Sequence, residues 1–399
     1  MAERSDPRPA PSPLTREPSG AKEAAPRDAY RAAGVDVEAG ERAVELMRDA
    51  VASTRRPEVV GGLGGFAGAI EIPAGYHRPI LVASTDGVGT KVALARRAGR
   101  LGGLGIDLVA MCADDVACAG AEPLFLLDYV ALGRLVPDEV ATIVAGVAAG
   151  CRLAGCALLG GETAEHPGVM RPDDLDLAAT CVGVVERADL IDGRAVAAGD
   201  VLVGLPSSGL HSNGFSLVRR LVDEAGLDLE EPYAAVLARH APAEPVEERL
   251  ARLPLAEVLL EPTRIYAREV LAIRAAVRAS APSAPPGAPG VDVHGIAHIT
   301  GGGLPGNLPR IVPDGLAVRL EPARWTMPSV MRLMGALGGL DDAELRATFN
   351  GGLGMVVAVP PEGVDAALAA AAERGIPGTV VGEVVQITAT GGRRYEEVR

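Results

Sequence analysis

Short apolar segments that end directly in glycine-rich polar loops occur several times along the chain. The segment 80–85 is followed by Asp86-Gly-Val-Gly-Thr-Lys91, and the segment 157–159 by Gly160-Gly-Glu-Thr-Ala-Glu165. Glycine lets the backbone turn tightly and point its N–H groups at an anion, whereas the apolar segments suit buried strands. The sequence therefore predicts strands and helices mixed in one fold, with loops that could bind phosphorylated ligands.

Apolar periodicity predicts an α+β plan in both halves of the chain. Asp36 is expected to cap a helix that ends near Thr54, and Gly120 to end a helix that begins at Asp107. Asp138 is expected to cap a further helix. The predicted strands are 80–85, 124–130, 157–159, 177–185 and 201–205.

A change of composition over 186–199 suggests a domain boundary. We predict a disordered, Pro-rich tail over 1–27, an N-terminal domain over 28–187 and a C-terminal domain over 188–399. The four prolines within 281–290 predict a surface loop inside the second domain.

Charge and composition narrow the classes of partner. The chain has 38 Lys and Arg against 52 Asp and Glu, a net charge of −14, so it offers no general positive field to nucleic acid or to an anionic membrane. No apolar run reaches the roughly 18 residues that a membrane span needs. An odd number of cysteines without a CxxC pair favours buried thiols in a reducing cytoplasm. They are Cys112, Cys118, Cys151, Cys156 and Cys181.

The loop from Asp86 to Lys91 is a candidate phosphate site. Gly87 and Gly89 can expose backbone N–H groups, and Lys91 adds a positive charge. Asp86 offers the hard oxygen ligand that Mg²⁺ prefers. The loop lacks the GxxxxGK[ST] spacing of a Walker A motif. The alternative is a tight strand-to-helix turn with a solvated lysine.

Carboxylates on an otherwise apolar helix are a second candidate. Asp107 and Asp114 are seven residues apart and share a helix face, while Asp115 points elsewhere. Buried carboxylates are costly unless they are paired or bind a metal. Glu162, which follows a predicted strand and two glycines, is a further candidate Mg²⁺ ligand. In the structural alternative for the helix, Asp107 is an N-cap and the side chains of Asp114 and Asp115 are exposed to solvent.

Three further segments offer hydrogen-bond donors. His211-Ser-Asn-Gly214 opens a predicted helix and suits an anion. His298 follows a second histidine by four residues, but no third ligand has the spacing of a metal site. The glycines of 301–303 do not predict a dinucleotide site, because nearby prolines interrupt a long helix. Arg264 offers a guanidinium and Asn350 an amide, and each is more often structural when it stands alone.

Together these segments resemble the phosphoribosylformylglycinamidine cyclo-ligase family, also called aminoimidazole ribonucleotide synthetases. The resemblance extends in the family's order from Asp28 to the C-terminal end. The segments that carry it are 28–36, Arg55-Arg-Pro-Glu-Val-Val-Gly-Gly-Leu-Gly-Gly-Phe66, Thr85-Asp-Gly-Val-Gly-Thr-Lys91, 105–112, 120–125, Gly160-Gly-Glu-Thr-Ala-Glu165, His211-Ser-Asn-Gly214, Pro262-Thr-Arg-Ile-Tyr266, 296–303 and 348–350.

The resemblance implies an enzyme of purine biosynthesis that converts formylglycinamidine ribonucleotide and ATP to aminoimidazole ribonucleotide, ADP and phosphate. ATP would phosphorylate the formamide oxygen, and the amidine-side nitrogen would then displace phosphate. The resemblance implies Mg²⁺ at Asp86, Asp115 and Glu162. It assigns the ATP phosphates to Lys91, and His211 and His298 are alternative candidate bases. The other implied ATP- or substrate-binding residues are Gly64, Gly65, Gly87, Gly89, Thr90, Ser212, Asn213, Arg264, Gly301, Gly302 and Asn350.

The family fold implies two α+β domains, with N-terminal domains that pair their sheets in an obligate cytoplasmic homodimer. Two alternatives stay open: another ATP-using member of the same superfamily, or a nucleotide-binding module without catalysis. The chain departs from the family at Asp114, where many relatives have Asn, and at His166, where Met is common.

Overall fold

The computed structural model describes residues 32–62, 64–280 and 291–398. The predicted tail over 1–27 and the predicted loop over 281–290 lie outside these residues. The helices in the described ranges are α1 (Val37–Ala52), α2 (Lys91–Arg97), α3 (Gly102–Cys118), α4 (Pro137–Ala154), α5 (Phe215–Glu224), α6 (Tyr233–His240), α7 (Leu255–Leu259), α8 (Ala267–Ser280), α9 (Gly303–Asn307), α10 (Ser329–Gly338), α11 (Asp342–Thr348) and α12 (Val364–Glu373). None of these helices is long and apolar enough to cross a membrane.

The strands in the same ranges form three sheets, of two, four and six strands. They are β1 (Val59–Val60), β2 (Ala69–Ile70), β3 (Pro79–Gly87), β4 (Glu122–Leu132), β5 (Ala157–Glu165), β6 (Leu175–Glu186), β7 (Val201–Pro206), β8 (Gly295–His298), β9 (Leu316–Leu320), β10 (Leu353–Val359), β11 (Thr379–Gln386) and β12 (Tyr395–Glu397).

The four-stranded sheet organises the N-terminal half, in the order β3-β6-β4-β5. β4 and β5 are parallel, and the other neighbours are antiparallel. The apolar sides of α3 and α4 pack over one face of this sheet and against each other. Their backbones approach so closely that a Cβ on Gly105 would lie 2.2 Å from the backbone nitrogen of Val147. Glycine is therefore required at this crossing.

The opposite face of the four-stranded sheet exposes large apolar side chains. Leu81 on β3 is 59% exposed, and Leu127 and Tyr129 on β4 are each 39% exposed. Large exposed apolar side chains on one face of a sheet are typical of an interaction surface. We call this surface the open sheet face and define it by Leu81, Leu127 and Tyr129.

The six-stranded sheet organises the C-terminal half, in the order β12-β9-β11-β7-β10-β8. Every residue of β10 is buried. Its side chains alternate between two apolar clusters, with Met355 and Val357 in the larger cluster and Val356 and Ala358 in the smaller one. The larger cluster continues into the N-terminal half, so the two halves share a core.

The mixed α/β architecture predicted from the sequence is confirmed, and each predicted strand lies within an observed strand. Asp36 caps α1 by accepting a hydrogen bond from the Ala39 N–H, at 3.1 Å. Gly120 follows α3 in the left-handed conformation, with φ of 73°. Both signals are local, which explains why the sequence alone reveals them.

Three local predictions are wrong. α3 begins at Gly102 and not at Asp107, because its close packing on α4 outweighs the low helix propensity of glycine. Val136 and not Asp138 is the N-cap of α4, whose first residue is proline. The segment 160–165 belongs to β5 and forms no turn, because it pairs with β4.

A buried ion pair of the N-terminal half lies at the junction with the C-terminal half. The Lys91 Nζ, at the start of α2, lies 2.9 Å from Oδ1 of Asp107 on α3, and both side chains are almost fully buried. The same ammonium donates to the backbone carbonyls of His211 and Glu261, each at 3.0 Å, and lies 5.3 Å from the ring centroid of Phe215. Burial lowers the pKa of Lys91, and the Asp107 charge opposes this shift. One cation therefore connects three segments that are far apart in the sequence.

Removal of this cation is expected to destabilise the whole fold. Lys91→Met leaves the Asp107 carboxylate buried without its partner, which should lower the free energy of unfolding by about 3–5 kcal/mol. The double variant Lys91→Met/Asp107→Asn removes both charges and should recover part of the loss. Urea denaturation followed by circular dichroism measures both variants.

A matched control lies on the same helix. Arg97 pairs with Asp223 at the surface, and Arg97→Met should cost no more than about 1 kcal/mol because solvent screens an exposed pair. Equal losses for Lys91→Met and Arg97→Met, or no recovery in the double variant, would show that the buried pair does not hold the junction.

Candidate active site

A crevice of about 360 Å³ separates the two halves beside β3, α3 and β8. Ser84 and Asp115 line it from the N-terminal half, and His298 lines it from the last position of β8. The polar side chains of both halves therefore face one space. It lies near the end of β3, where the sequence predicted a phosphate loop.

His298 is fixed by an aspartate from the other half. Its Nδ1 lies 3.0 Å from Oδ1 of Asp115, and Oδ2 of Asp115 accepts a hydrogen bond from Ser84 Oγ at 3.2 Å. Burial lowers the pKa of His298, but the Asp115 hydrogen bond and the charges of Asp114, Asp115 and Asp86 outweigh it, so the pKa is raised overall. The buried Nε2 has no hydrogen-bond partner among the described residues. This nitrogen is free to contact a ligand.

His211 has the opposite electrostatic environment. Its pKa is held well below the usual range by burial first, and then by the positive charges of His298, Lys91 and Arg264. Its Nε2 accepts the Ser208 N–H at 3.1 Å, whereas its buried Nδ1 has no partner within the described residues. The hydrogen bond to Nε2 places any ring proton of the neutral imidazole on Nδ1.

The backbone of His211 is strained. It has φ of 59°, the one positive φ of a non-glycine residue in the described chain. Its carbonyl accepts from Lys91, which helps to hold this conformation. Gly354 leaves space for the ring, since a Cβ there would lie 2.6 Å from His211 Cε1. Strain that the surroundings maintain in this way is common at functional sites.

Two buried carboxylates of α3 hold the segment that carries Arg264. Oδ1 of Asp107 accepts the Thr263 N–H at 2.8 Å, and Oδ1 of Asp114 accepts the Tyr266 N–H, also at 2.8 Å. The guanidinium between these anchors is half-buried and makes no ion pair among the described residues. Asp107 and Asp114 are therefore anchors, and the alternative of an N-cap and an exposed carboxylate is wrong.

Burial raises the pKa of Asp114 to about 7, although the His298 charge and backbone N–H groups oppose the shift. Its second oxygen has no partner within the described part of the chain. An Asn at this position would keep the oxygen that accepts the Tyr266 N–H without a charge to bury.

Asp86 and Asp115 form the part of the predicted Mg²⁺ set that the structure brings together. Partial burial raises the pKa of Asp86, the Gly87 N–H opposes the shift, and the Asp115 charge adds to it. Within the described ranges, no group of three or more His, Cys, Asp or Glu side chains is placed to hold a metal alone. Mg²⁺ commonly binds through one or two carboxylates together with substrate phosphates. Asp86 and Asp115 therefore fit an Mg²⁺ ion whose remaining ligands come from substrate phosphates and water.

Glu162 departs from the predicted set. Along the sheet register Gly87 pairs with Ala178, Ala178 with Tyr129 and Tyr129 with Glu162. Three strand spacings of about 4.8 Å put Glu162 roughly 14 Å from Gly87, beside Tyr129 on the open sheet face. Within one chain Glu162 cannot share an ion with Asp86 and Asp115. Gly64 and Gly65 belong to the same distant edge, because Gly68 of their loop packs on Leu159 of β5.

Lys91 also departs from its predicted role. Its ammonium already has three protein acceptors and does not face the crevice, so a direct contact with ATP phosphates is not supported. Asn350 is likewise enclosed and holds a turn, donating to the Gly209 carbonyl and accepting the Gly352 N–H. The sequence could not reveal this, because the partners of Lys91 lie up to 170 residues away.

The remaining predicted residues lie on loops around the junction. Thr90 Oγ1 lies 3.0 Å from Ser216 Oγ, and Ser212 Oγ lies 3.3 Å from Thr263 Oγ1. Asn213 Nδ2 is buried without a partner in the described structure. Gly89, Gly301 and Gly302 have no atom that would obstruct a Cβ. Gly89 and Gly302 adopt positive φ angles of 66° and 88°, which favour glycine.

Two polar residues near these segments were missed. Asp128 lies on the helix-covered side of β4, and burial raises its pKa to about 7. Gly161 makes room for it, since a Cβ there would lie 1.7 Å from Asp128 Oδ1. The sequence signal that could have revealed Asp128 is an acidic residue within an otherwise apolar strand. Arg310, which lines the crevice, follows the 301–303 glycines but carries no spacing signal of its own.

Family models match both halves of the chain. The N-terminal domain of AIR synthase related proteins matches residues 67–185, and the C-terminal domain matches residues 197–391. Solved structures of low sequence identity share the fold. A thiamine-monophosphate kinase from Stenotrophomonas maltophilia superposes with a TM-score of 0.61 at 18% identity, over 89% of this chain and 95% of that one. Hydrogenase maturation protein HypE in complex with ATP gives 0.61 at 20%, over 90% and 91%.

Curated relatives are much closer in sequence. The phosphoribosylformylglycinamidine cyclo-ligase of Thermosynechococcus vestitus is 50% identical over 89% of this chain and 96% of its own length. Those of Synechococcus sp. (strain RCC307) and Myxococcus xanthus are 48% and 50% identical, over 89% of this chain and 96% and 95% of their own lengths. The chain therefore belongs to the phosphoribosylformylglycinamidine cyclo-ligase family, a family of ATP-dependent ligases.

Proposed function

We propose that the chain catalyses the ATP-dependent ring closure of formylglycinamidine ribonucleotide to aminoimidazole ribonucleotide, ADP and phosphate. The observation that carries this proposal is the grouping of His211, Arg264 and the Asp115–His298 pair at one junction, beside the loop that begins at Asp86. Such a site combines carboxylates, a guanidinium and unpaired imidazole nitrogens, which suits phosphoryl transfer followed by ring closure.

In the first step the γ-phosphoryl group of ATP passes to the formamide oxygen, which turns a poor leaving group into a good one. Asp86 and Asp115 would hold Mg²⁺ against the nucleotide phosphates, and the ion would neutralise charge during the transfer. Gly89 and Thr90 would offer backbone N–H groups to the phosphates, whereas the Gly87 N–H already donates to Oδ1 of Asp86 at 2.7 Å. The half-buried Arg264 guanidinium is suited to a phosphate oxygen through charge-assisted hydrogen bonds.

In the second step the amidine-side nitrogen forms a bond to the activated carbon, the bond from that carbon to the phosphorylated oxygen breaks, and phosphate leaves. The nitrogen loses a proton, for which we propose His211 as acceptor. In the neutral His211 ring Nδ1 carries the proton, and the basic Nε2 accepts the Ser208 N–H. The ring must therefore release Ser208 before Nε2 can take a proton from the substrate. His298 would contact the substrate through its free Nε2.

A homodimer is also proposed, paired through the open sheet face. Support comes from the exposed Leu81, Leu127 and Tyr129 on this face. Glu162 lies beside Tyr129 on the same face, so pairing would place it at the interface, where it could contribute to ligand binding. We further propose a cytoplasmic location, which the free thiols of all five cysteines favour.

The proposed reaction predicts strict coupling of its products. Purified protein with MgATP and formylglycinamidine ribonucleotide should release ADP and aminoimidazole ribonucleotide in a ratio of about one to one, because phosphate transfer precedes every ring closure. A coupled ADP assay and chromatography of the imidazole measure the two products. ADP without the imidazole would favour another ATP-using member of the superfamily, and binding without either product would favour a non-catalytic module.

The environment of His211 predicts the acid side of the pH profile. A base must be neutral to accept a proton, and the pKa of His211 is held well below 6.5, so kcat/KM should stay level as pH falls through 6.5 and decline only below it. His211→Asn should lower kcat by about 10²–10⁴-fold and abolish this decline. His77→Gln, an exposed histidine, is the control. A decline that His211→Asn leaves in place would assign it to another group.

The open sheet face predicts the oligomeric state. Sedimentation equilibrium should give twice the chain mass of 40.8 kDa. Leu127→Arg puts a charge in the proposed interface and should give monomers, because an unpaired charge is costly to bury. Leu153→Arg changes an exposed leucine on α4 and should leave the dimer intact. Monomers in the unchanged protein would overturn the proposed pairing.

A further inference from the structure

The crevice contains a cation that the steps above do not use. Arg310 follows α9 and is exposed along the same crevice that His298 and Asp115 line. Its guanidinium Nη1 donates to Asn307 Oδ1 at 3.1 Å, and no carboxylate pairs with it among the described residues. Most of its five donors therefore stay available to a ligand.

Asn307 fixes the direction of this guanidinium. The Asn307 side chain is buried, and its Nδ2 donates to the carbonyls of Thr300, Gly301 and Gly303 at 3.3, 3.2 and 2.9 Å. Three acceptors on the nitrogen leave Oδ1 to point at Arg310. The glycine segment 301–303 thus positions Asn307, which in turn orients the Arg310 guanidinium.

The guanidinium lies close to α3. Burial holds the pKa of the Cys118 thiol well above its usual range, and the positive charge of Arg310 is among the groups that oppose this shift. Cys118 is one helical turn beyond Asp115, so the crevice extends along α3 from Asp115 toward Arg310. Along β8, the three residue steps from His298 to Gly295 span about 10 Å.

The charges of the crevice favour an anion at the Arg310 end. Its lining carboxylates are Asp115 and Asp192, and each already has a partner, His298 in one case and Arg194 in the other. A phosphate monoester carries nearly two negative charges at neutral pH and matches the planar fork of arginine in a bidentate geometry.

We propose that Arg310, oriented by Asn307, binds the phosphate monoester of the ribonucleotide substrate, a role that rests on the proposed function. In the proposed first step, the nucleotide phosphates bind together with Mg²⁺ at Asp86 and Asp115. The reacting end of the substrate must meet them there, so its ribose phosphate extends along the crevice to the opposite end. Arg310 is then a determinant of substrate specificity and takes no part in the chemistry.

Substitution of Arg310 tests this assignment through the separation of KM from kcat. Arg310→Met should raise KM for formylglycinamidine ribonucleotide about 10–100-fold, the range for loss of a charge-assisted hydrogen bond. The value of kcat and the KM for MgATP should change less than about threefold, because the contact is equal in ground and transition states. Arg310→Lys keeps the charge without the fork and should show a smaller rise in KM.

Arg324→Met is the matched control, because Arg324 is a surface arginine of the same half that pairs with Glu321. It should leave both KM values unchanged. A rise in KM for MgATP alone would assign Arg310 to the nucleotide and overturn the proposal. Unchanged KM values for both substrates in Arg310→Met would also overturn it.

A binding measurement separates this proposal from the proposed function. Ribose 5-phosphate should raise the melting temperature of the unchanged protein and ribose should not, while Arg310→Met should lose the effect and Arg324→Met should keep it. This result would support the phosphate site even if no ring closure were detected. Equal stabilisation of the unchanged protein and Arg310→Met would refute the site even if turnover were normal.

Discussion

The ion pair between Lys91 and Asp107 is the contact on which the arrangement of the site depends. It lies at the junction of the two halves, where Lys91 also binds the carbonyls of His211 and Glu261. Asp107 in turn accepts the Thr263 N–H. An ammonium has three hydrogens, and all three are used, so a shift of the C-terminal half would take two of the three acceptors away from a buried charge. This cost fixes the relation between the two halves.

Helix α3 separates structural carboxylates from those suited to chemistry. Asp107 and Asp114 share its buried side and hold the segment around Arg264, whereas the next residue, Asp115, turns toward the crevice and holds His298. A step of one residue rotates a side chain by about 100°, which is enough to move a carboxylate from core to ligand site. The apolar remainder of the helix keeps it in the core, so the positions of these acids are set by packing.

Local signals in the sequence predicted much of the fold. Helix caps such as Asp36 and the apolar segments of β3, β4 and β6 depend on neighbours a few residues away. The incorrect predictions have distant causes. The start of α3 depends on contact between Gly105 and Val147, and the strand state of Gly160–Glu165 depends on pairing with β4. Propensity alone gives the wrong answer when such contacts are stronger.

The same distinction applies to the site. Residue types and spacing indicated Asp86, Asp115, His211, His298 and Arg264, and the structure groups them around the junction of the two halves. They could not indicate that Lys91 is enclosed or that Glu162 lies on the far side of the sheet, because both depend on which segments meet. A lysine beside glycines resembles a phosphate ligand whether its head is solvated or paired. The structure thus turns Lys91 from an expected ligand of the nucleotide into a positioning residue for His211, whose strained backbone needs the hydrogen bond that Lys91 supplies.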